Sequence, residues 1–255
     1  MNDLLKGKTA LITGASSGIG MATAKLFSEN GASLMITGRS EPALTDLAAN
    51  LKNENCDVAA GDIARAEFRS SLVDKTIQRF NRLDILVNSA GIISSGSIEN
   101  TSPDSFDELM NLNVHAVFHL MQLCIPHLKP AKGNIVNVSS VAGLRAFPNL
   151  LSYSVSKAAV DQLTRAAALD LGSSGIRVNS VNPGVVVTNL HRRSGMEETA
   201  YQQFLEHSKT THPIGRVGQP EEIAELILFL SSDKAGWITG GNFPIDGGRH
   251  QTCAR

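Results

Sequence analysis

Cysteine is scarce in this 255-residue chain, which holds three: Cys56, Cys124 and Cys253. The number is odd and none stands at a CxxC or Cys/His ligand spacing, so no structural metal is expected and a reducing compartment is implied. An excess of either charge is also missing: 23 basic residues face 24 acidic ones, for a formal net charge of −1. That balance points away from nucleic acid or an anionic membrane as the main partner. No run of about 18 apolar residues could span a bilayer, and the opening MNDLLKGKTALITG turns polar too soon for a signal-peptide core. A cytoplasmic protein without membrane insertion is expected. Aromatic residues make up only 5% of the chain, and tyrosine occurs twice.

What is present is a 42% apolar and 18% charged composition, enough for a large core rather than disorder. Short, β-branched-rich apolar runs recur at 9–13, 33–37, 57–61, 84–88, 134–140, 176–184 and 241–248. Runs of this kind suit strands buried on both faces. Between them lie helical stretches at 19–29, 41–53, 65–80, 103–128, 153–171 and 220–231. Ser102-Pro103-Asp104 and Gln219-Pro220-Glu221-Glu222 carry helix-start signals, with proline in the first turn and early carboxylates. The alternation predicts an α/β fold, a doubly wound parallel sheet of about seven strands with helices on both faces. No linker or composition break divides 1–255, so one domain is expected. The strand-free stretch 185–218 is long for an idle loop, and a substrate lid near 189–212 is the expectation there.

Gly14, Gly18 and Gly20 follow the first strand and open the first helix. Glycines there allow a sharp turn and let a pyrophosphate approach the free N–H groups and positive dipole end of the helix. A second pattern is Tyr153, four residues before Lys157 in a stretch of small and apolar residues. On a helix that spacing puts phenol and ammonium on one face. Taken alone, the pair reads as a core tyrosine beside a solvated lysine, because any tyrosine has a fair chance of a lysine four positions later.

The spacing TGxxxGxG over Thr13–Gly20 resembles the cofactor turn of the short-chain dehydrogenase/reductase family, in its compact single-domain branch. Further matches arrive in order: Asp62, Asn88-Ser89-Ala90-Gly91, Asn113, Ser140, Tyr153-x-x-x-Lys157, and PGVVVT at 183–188. The family usually has a second asparagine where Ser89 stands. Ser139 and Ser140 are adjacent, and the thirteen-residue offset to the tyrosine selects Ser140. The resemblance covers about Lys8 to Gly248 and implies a Rossmann-like fold binding a nicotinamide dinucleotide.

It also implies roles. A carbonyl that accepts hydride needs a proton as charge develops on its oxygen, and a tyrosine with a pKa near 10 holds its proton tightly. Tyr153 would be the acid in reduction and base in oxidation. Lys157 would lower its pKa and hold the nicotinamide ribose. Ser140 would donate to the same substrate oxygen, and Asn113 would position a water beside Lys157. An alternative for Asn113 is a buried amide tying helix to sheet. Gly14, Ser16, Ser17, Gly18, Ile19, Gly20, Asp62, Ile63, Asn88, Ala90 and Gly91 would line the cofactor, with Pro183, Gly184, Val186 and Thr188 at its carboxamide end.

At the end of the second strand, Gly38 takes the place of the carboxylate that NAD-binding folds put on the ribose hydroxyls. Arg39 follows and could clamp a 2′-phosphate. NADP(H) is therefore favoured over NAD(H). The substrate would be a small alcohol or carbonyl compound, bordered by Ser140, Tyr153, Ile93, Val141, Phe147 and Val185. Arg192 and Arg193 in the lid stretch are open either to an anionic substrate or to a solvated surface. The leading reading is an NADP-dependent oxidoreductase interconverting a secondary alcohol and a ketone. An NAD-dependent relative and a non-catalytic redox sensor are the alternatives. The resemblance implies a homotetramer, since Leu109, Val117, Leu163 and Leu169 lie in helices that commonly form the family's four-helix interfaces.

Overall fold

Buried apolar residues alternate along the strands, and that alternation builds two cores, one on each side of a sheet. The computed structural model describes residues 3–52 and 55–252. Among them β1 (Thr9–Ile12), β2 (Ser33–Gly38), β3 (Cys56–Ala60), β4 (Ile85–Asn88), β5 (Asn134–Val138), β6 (Arg177–Pro183) and β7 (Asn242–Ile245) pair in parallel. Their order is β3-β2-β1-β4-β5-β6-β7. Ala10, Ile12, Leu34, Ile36, Ile85 and Val87 point to one face, where Phe27 of α1 (Gly18–Glu29) and Ile223 and Ile227 of α10 (Pro220–Ser231) cover them. Leu11, Met35, Leu86 and Ile135 point to the other, against Leu72 of α3 (Ala66–Phe80), Leu120 and Cys124 of α5 (Ala116–Ala131) and Ala168 of α7 (Leu151–Gly172). Each fully buried Leu or Ile contributes roughly 1.5–3 kcal/mol.

The chain runs outward from β1 to β3, then returns to the other side of β1 for β4. Strand order therefore reverses between β1 and β4, and a crevice opens outside their C-terminal ends, where ligands bind in open α/β sheets. The sequence-read helix starts hold. Ser102 accepts from the Ser105 N–H at 3.2 Å ahead of α4 (Pro103–Met110), and the Glu222 carboxylate accepts from the Gln219 N–H at 2.8 Å ahead of α10. Ser40 caps α2 (Glu41–Ala49), accepting from the Ala43 N–H at 3.4 Å. The stretch expected as helix 41–53 is closed at Asn50, and residue 53 lies outside the described residues.

One expectation changes. The single helix 103–128 is instead α4 and α5 joined by a π-helical turn at Asn111–His115. The wider turn brings Asn113 inward, and such bulges often serve functional positions. Of the four residues named in the helices expected to form subunit contacts, Leu109 and Val117 are buried in this chain's own cores and Leu163 packs against the second of them. Only Leu169 is exposed, at 85%. Helical periodicity marks an apolar face without saying which neighbour covers it.

The stretch 185–218 carries α8 (Leu190–Arg193) and α9 (Glu198–Thr211). Between β5 and α7 a short helix, α6 (Val141–Leu144), was not read from sequence. Cys124 is buried and Cys56 half-buried, both free, and burial pushes the Cys56 thiol up to about 12, so it is not a reactive thiolate. Cys253 lies outside the described residues. No described helix is long and apolar enough to cross a membrane.

Candidate active site

The crevice between β1 and β4 is lined by backbone because its glycines leave no alternative. Gly14 has φ +68°, and a Cβ there would lie 2.8 Å from the Ala90 backbone. A Cβ on Gly20 would lie 2.5 Å from the Gly14 carbonyl oxygen, and one on Gly18, at φ +56°, would lie 3.1 Å from Thr188 Cγ2. The three glycines thus bring together the turn after β1, the turn after β4 and the 183–188 segment. Ser17 precedes α1 without capping it through its side chain, and the first turn of α1 holds no acid. The amides of Gly18 and Ile19 at that helix end, the close backbone approach and the Thr188 wall together fit a dinucleotide's pyrophosphate.

Tyr153 and Lys157 lie in the first two turns of α7, both buried. Lys157 Nζ donates to the Val138 carbonyl at 2.8 Å and lies 5.7 Å from the Tyr153 ring centroid. Burial pulls the Lys157 pKa down to about 8, against the opposing pull of Asp161 one turn further along α7. Ser140 Oγ accepts from the Ala142 N–H at 3.1 Å, which leaves its own hydrogen free for the Tyr153 oxygen. Burial raises the Tyr153 pKa, and the Ser140 hydrogen bond opposes that rise. Burial is thus the larger of the two influences on the free site, and Ser140 the opposing one.

Asn113 is a tie between elements. Its Oδ1 accepts from the Ile92 N–H at 3.0 Å, and its Nδ2 donates to the Ile92 carbonyl at 2.9 Å and to Ser156 Oγ at 3.1 Å. Its amide and Lys157 Nζ nonetheless share the space over Gly91, 3.2 and 3.7 Å from where a Cβ would sit. Asn88 turns inward and donates to Asn137 Oδ1 at 2.9 Å, so only its backbone edges the crevice. Asp62 closes its own turn by accepting from the Ala64 N–H at 2.9 Å, and the Ile63 carbonyl accepts from buried Arg69 at 2.5 Å. Arg39 is exposed, with no hydrogen bond or ion pair among the described residues. Ser16 sits beside Gly38, its Oγ 3.1 Å from a Cβ placed there.

Among the substrate candidates, Ile93 and Phe147 pack in one apolar cluster with Tyr153, joined by Leu190 of α8. Val141 and Val185 are buried but outside that cluster. The Val185 N–H donates to His212 Nε2 at 3.1 Å, and Gly184 faces the same ring. Pro183 ends β6 beside Ile245, and Val186 bridges to Gly218. The 189–212 stretch is anchored at Tyr201, whose hydroxyl donates to the Thr188 carbonyl at 3.0 Å. Arg192 is already held by Glu198, at 2.6 and 2.9 Å, and lies over Tyr201. Of the two arginines left open by sequence, that one is engaged.

Two residues were missed. Thr13 Oγ1 accepts from the N–H groups of Ser89 at 3.0 Å and Ala90 at 3.1 Å, fastening the two turns of the crevice. Its signal was its place at the end of the first strand, inside the quoted motif. Asp161 is buried below Lys157 and accepts from Asn182 at 3.0 and 2.9 Å, Ser180 at 3.2 Å and Asn242 at 3.1 Å. Only its i,i+4 relation to Lys157 could have announced it. No group of three or more potential ligands among the described residues could hold a metal ion.

A doubly wound sheet with a glycine-lined switch-point crevice and a buried Ser/Tyr/Lys group defines a dinucleotide-dependent class of protein. Comparison agrees. A family model described as Enoyl-(Acyl carrier protein) reductase matches residues 14–250. An uncharacterised oxidoreductase of Thermotoga maritima is 42% identical over 95% of this chain and 97% of its own. The meso-2,3-butanediol dehydrogenase of Serratia marcescens is 35% identical over 94% of each. A Caenorhabditis elegans short-chain dehydrogenase/reductase of unknown function, solved with cofactor, superposes with a TM-score of 0.93 at 37% identity, covering 98% of this chain and 97% of that one. The chain belongs to the short-chain dehydrogenase/reductase family and is an oxidoreductase acting on alcohol and carbonyl groups. Membership implies a nicotinamide nucleotide, NAD or NADP.

Thr13→Val removes the acceptor for two amides at the crevice, and a loss of about 1–3 kcal/mol is expected by urea denaturation. Thr13→Ser keeps the oxygen and should stay within about 1 kcal/mol of the wild type. Equal losses for the two variants would show that the oxygen does not carry the contact.

Proposed function

We propose that this enzyme interconverts a secondary alcohol and a ketone with NADP(H), using Tyr153 as proton donor and acceptor. The observation that carries the reading is the buried Tyr153 hydroxyl with Ser140 beside it and Lys157 one turn away, facing the glycine-lined crevice. A nicotinamide nucleotide bound there supplies or takes the hydride. Gly14, Gly18, Gly20, Ala90 and Thr188 would hold its phosphates and carboxamide end.

Ser140 donates to the substrate oxygen and orients it toward the phenol. Burial keeps Tyr153 protonated near neutral pH, which suits it to give its proton to a developing alkoxide. In the reverse direction Tyr153 must ionise. Ser140's hydrogen bond and the Lys157 ammonium both favour the phenolate in that state. Asn113 fixes the Ile92 loop and borders the space beside Lys157, where proton replacement would pass. The outer wall, Ile93, Phe147 and Leu190, is apolar and excludes water from the reacting oxygen.

The preference for NADP(H) rests on Gly38, which brings no carboxylate to the ribose, and on Arg39, exposed and uncommitted at its side. Ser16 is the neighbouring donor. A non-catalytic sensor would have no use for the Ser140–Tyr153 contact.

Tyr153→Phe should lower kcat by more than tenfold, at least about 1.4 kcal/mol in barrier, while NADPH still binds. Retention of more than a tenth of the wild-type kcat would remove Tyr153 from the acid–base role. Gly38→Asp with Arg39→Leu should shift preference toward NADH once Ser16 rotates away from the new side chain. Equal wild-type kcat/KM for NADPH and NADH would contradict the phosphate clamp.

A further inference from the structure

Beyond the apolar wall, two guanidiniums share one aromatic ring. Arg145 ends α6, five residues after Ser140, and its Cζ lies 5.3 Å from the Phe147 ring centroid. Arg249 opens the short turn Arg249–Gln251 after β7, and its Cζ lies 4.8 Å from the same centroid. That turn packs against α6. The two arginines differ in what they hold. Arg145 Nη1 donates to the carbonyls of Arg249 and Thr252, so it fastens the turn. The Arg249 guanidinium is half-buried and donates to no acceptor among the described residues.

Nearby charges among the described residues do not compensate it. Among the described residues Asp246 is the one acid that acts on Arg249, and its carboxylate is already engaged. Oδ1 accepts from the Gly248 N–H at 3.0 Å, and Oδ2 takes the His250 N–H at 2.6 Å and meets His250 Nδ1 at 2.9 Å. His191 and His212 both feel Arg249, and burial pushes both rings toward the neutral form. Burial, and after it the like charge of Arg145, presses the Arg249 pKa downward against the pull of Asp246. Among the described residues, two arginines against one committed aspartate leave a single positive charge. Phe147, which carries both guanidiniums, belongs to the cluster that contains Tyr153.

We propose that Arg249 is a substrate-binding residue and that the substrate is an oxo or hydroxy acid, its carboxylate held by Arg249 while its carbonyl or hydroxyl faces Tyr153 and Ser140. One carboxylate matches the one uncompensated charge, and a guanidinium offers paired donors to it. This rests on the oxidoreductase reading above. It assigns anion recognition to the turn after β7, away from Arg192, whose guanidinium Glu198 already holds. The apolar wall then spans the carbons between the two polar ends, and chain length becomes the specificity variable.

The test uses 3-oxobutanoate, 4-oxopentanoate and 5-oxohexanoate beside their methyl esters, with 2,3-butanedione as a neutral ketone, each with NADPH and NADH. In the wild type at least one acid should exceed its ester in kcat/KM by tenfold or more. Arg249→Met should lower kcat/KM for that acid at least tenfold more than for the ester, chiefly through KM, and Arg249→Lys should recover part of the loss. Thermal melting checks that both variants fold. If Arg249→Met does not fold, Arg249→Lys alone decides, by a threefold or larger fall in the acid-to-ester ratio. No preference for any acid, or equal losses for acid and ester, would overturn the proposal. If neither acids, esters nor 2,3-butanedione turn over, the oxidoreductase reading fails. Calorimetric titration of the three acids into wild type and Arg249→Met then still judges the charge site. Binding that the substitution abolishes supports it, and no binding, or binding the substitution leaves intact, overturns it.

Discussion

The site depends on keeping an ammonium out of water. Lys157 is buried beside the crevice, and desolvation of a charge costs several kcal/mol unless fixed dipoles replace the lost water. Here the Val138 carbonyl accepts one N–H directly, and Asp161, itself held by Asn182, Ser180 and Asn242, supplies the compensating charge from one turn below. The compensation is incomplete. The lysine stays charged near neutral pH but only by a modest margin, so a small change beside it moves its proton. In linkage terms the folded pKa lies below the unfolded one, so the group opposes folding below about pH 8. That penalty lifts as the pH rises toward the unfolded value of about 10.4.

Backbone geometry determines what this charge faces. Gly14, Gly18 and Gly20 permit contacts that any Cβ would forbid, and Thr13 fastens the turns after β1 and β4 with two hydrogen bonds. The crevice is thereby made of amides, which attract phosphate, and its rear wall of side chains, which handle protons. Strand order supplies the division: the reversal between β1 and β4 opens the first, and α7, packed against β6, supplies the second. The proposed chemistry is a consequence of these two surfaces meeting at Tyr153.

Much of this was legible in the chain. The seven strands fall within a residue or two of the apolar runs, except that the seventh run extends further past its strand, because strands buried in the sheet read as continuous apolar segments. The glycine turn and the Tyr153–Lys157 spacing were legible because both are local. The missed features are those set by tertiary partners. Asp161 is an ordinary helical aspartate until Ser180, Asn182 and Asn242 arrive from two other strands. Leu109 and Val117 present an apolar face whose cover is decided by this chain's own folding. Arg249 lies about a hundred residues from Arg145, and nothing in sequence joins them to one ring.

The most direct measurement is the titration of Lys157 itself, by NMR of protein labelled at lysine Cε, with Lys157→Met to assign the resonance. A midpoint near 8 is the predicted result, for a buried ammonium held by a carbonyl and only partly compensated. A midpoint at the ordinary value of about 10.4 would mean that the ammonium is solvated, and the account of the site built on its burial would be wrong.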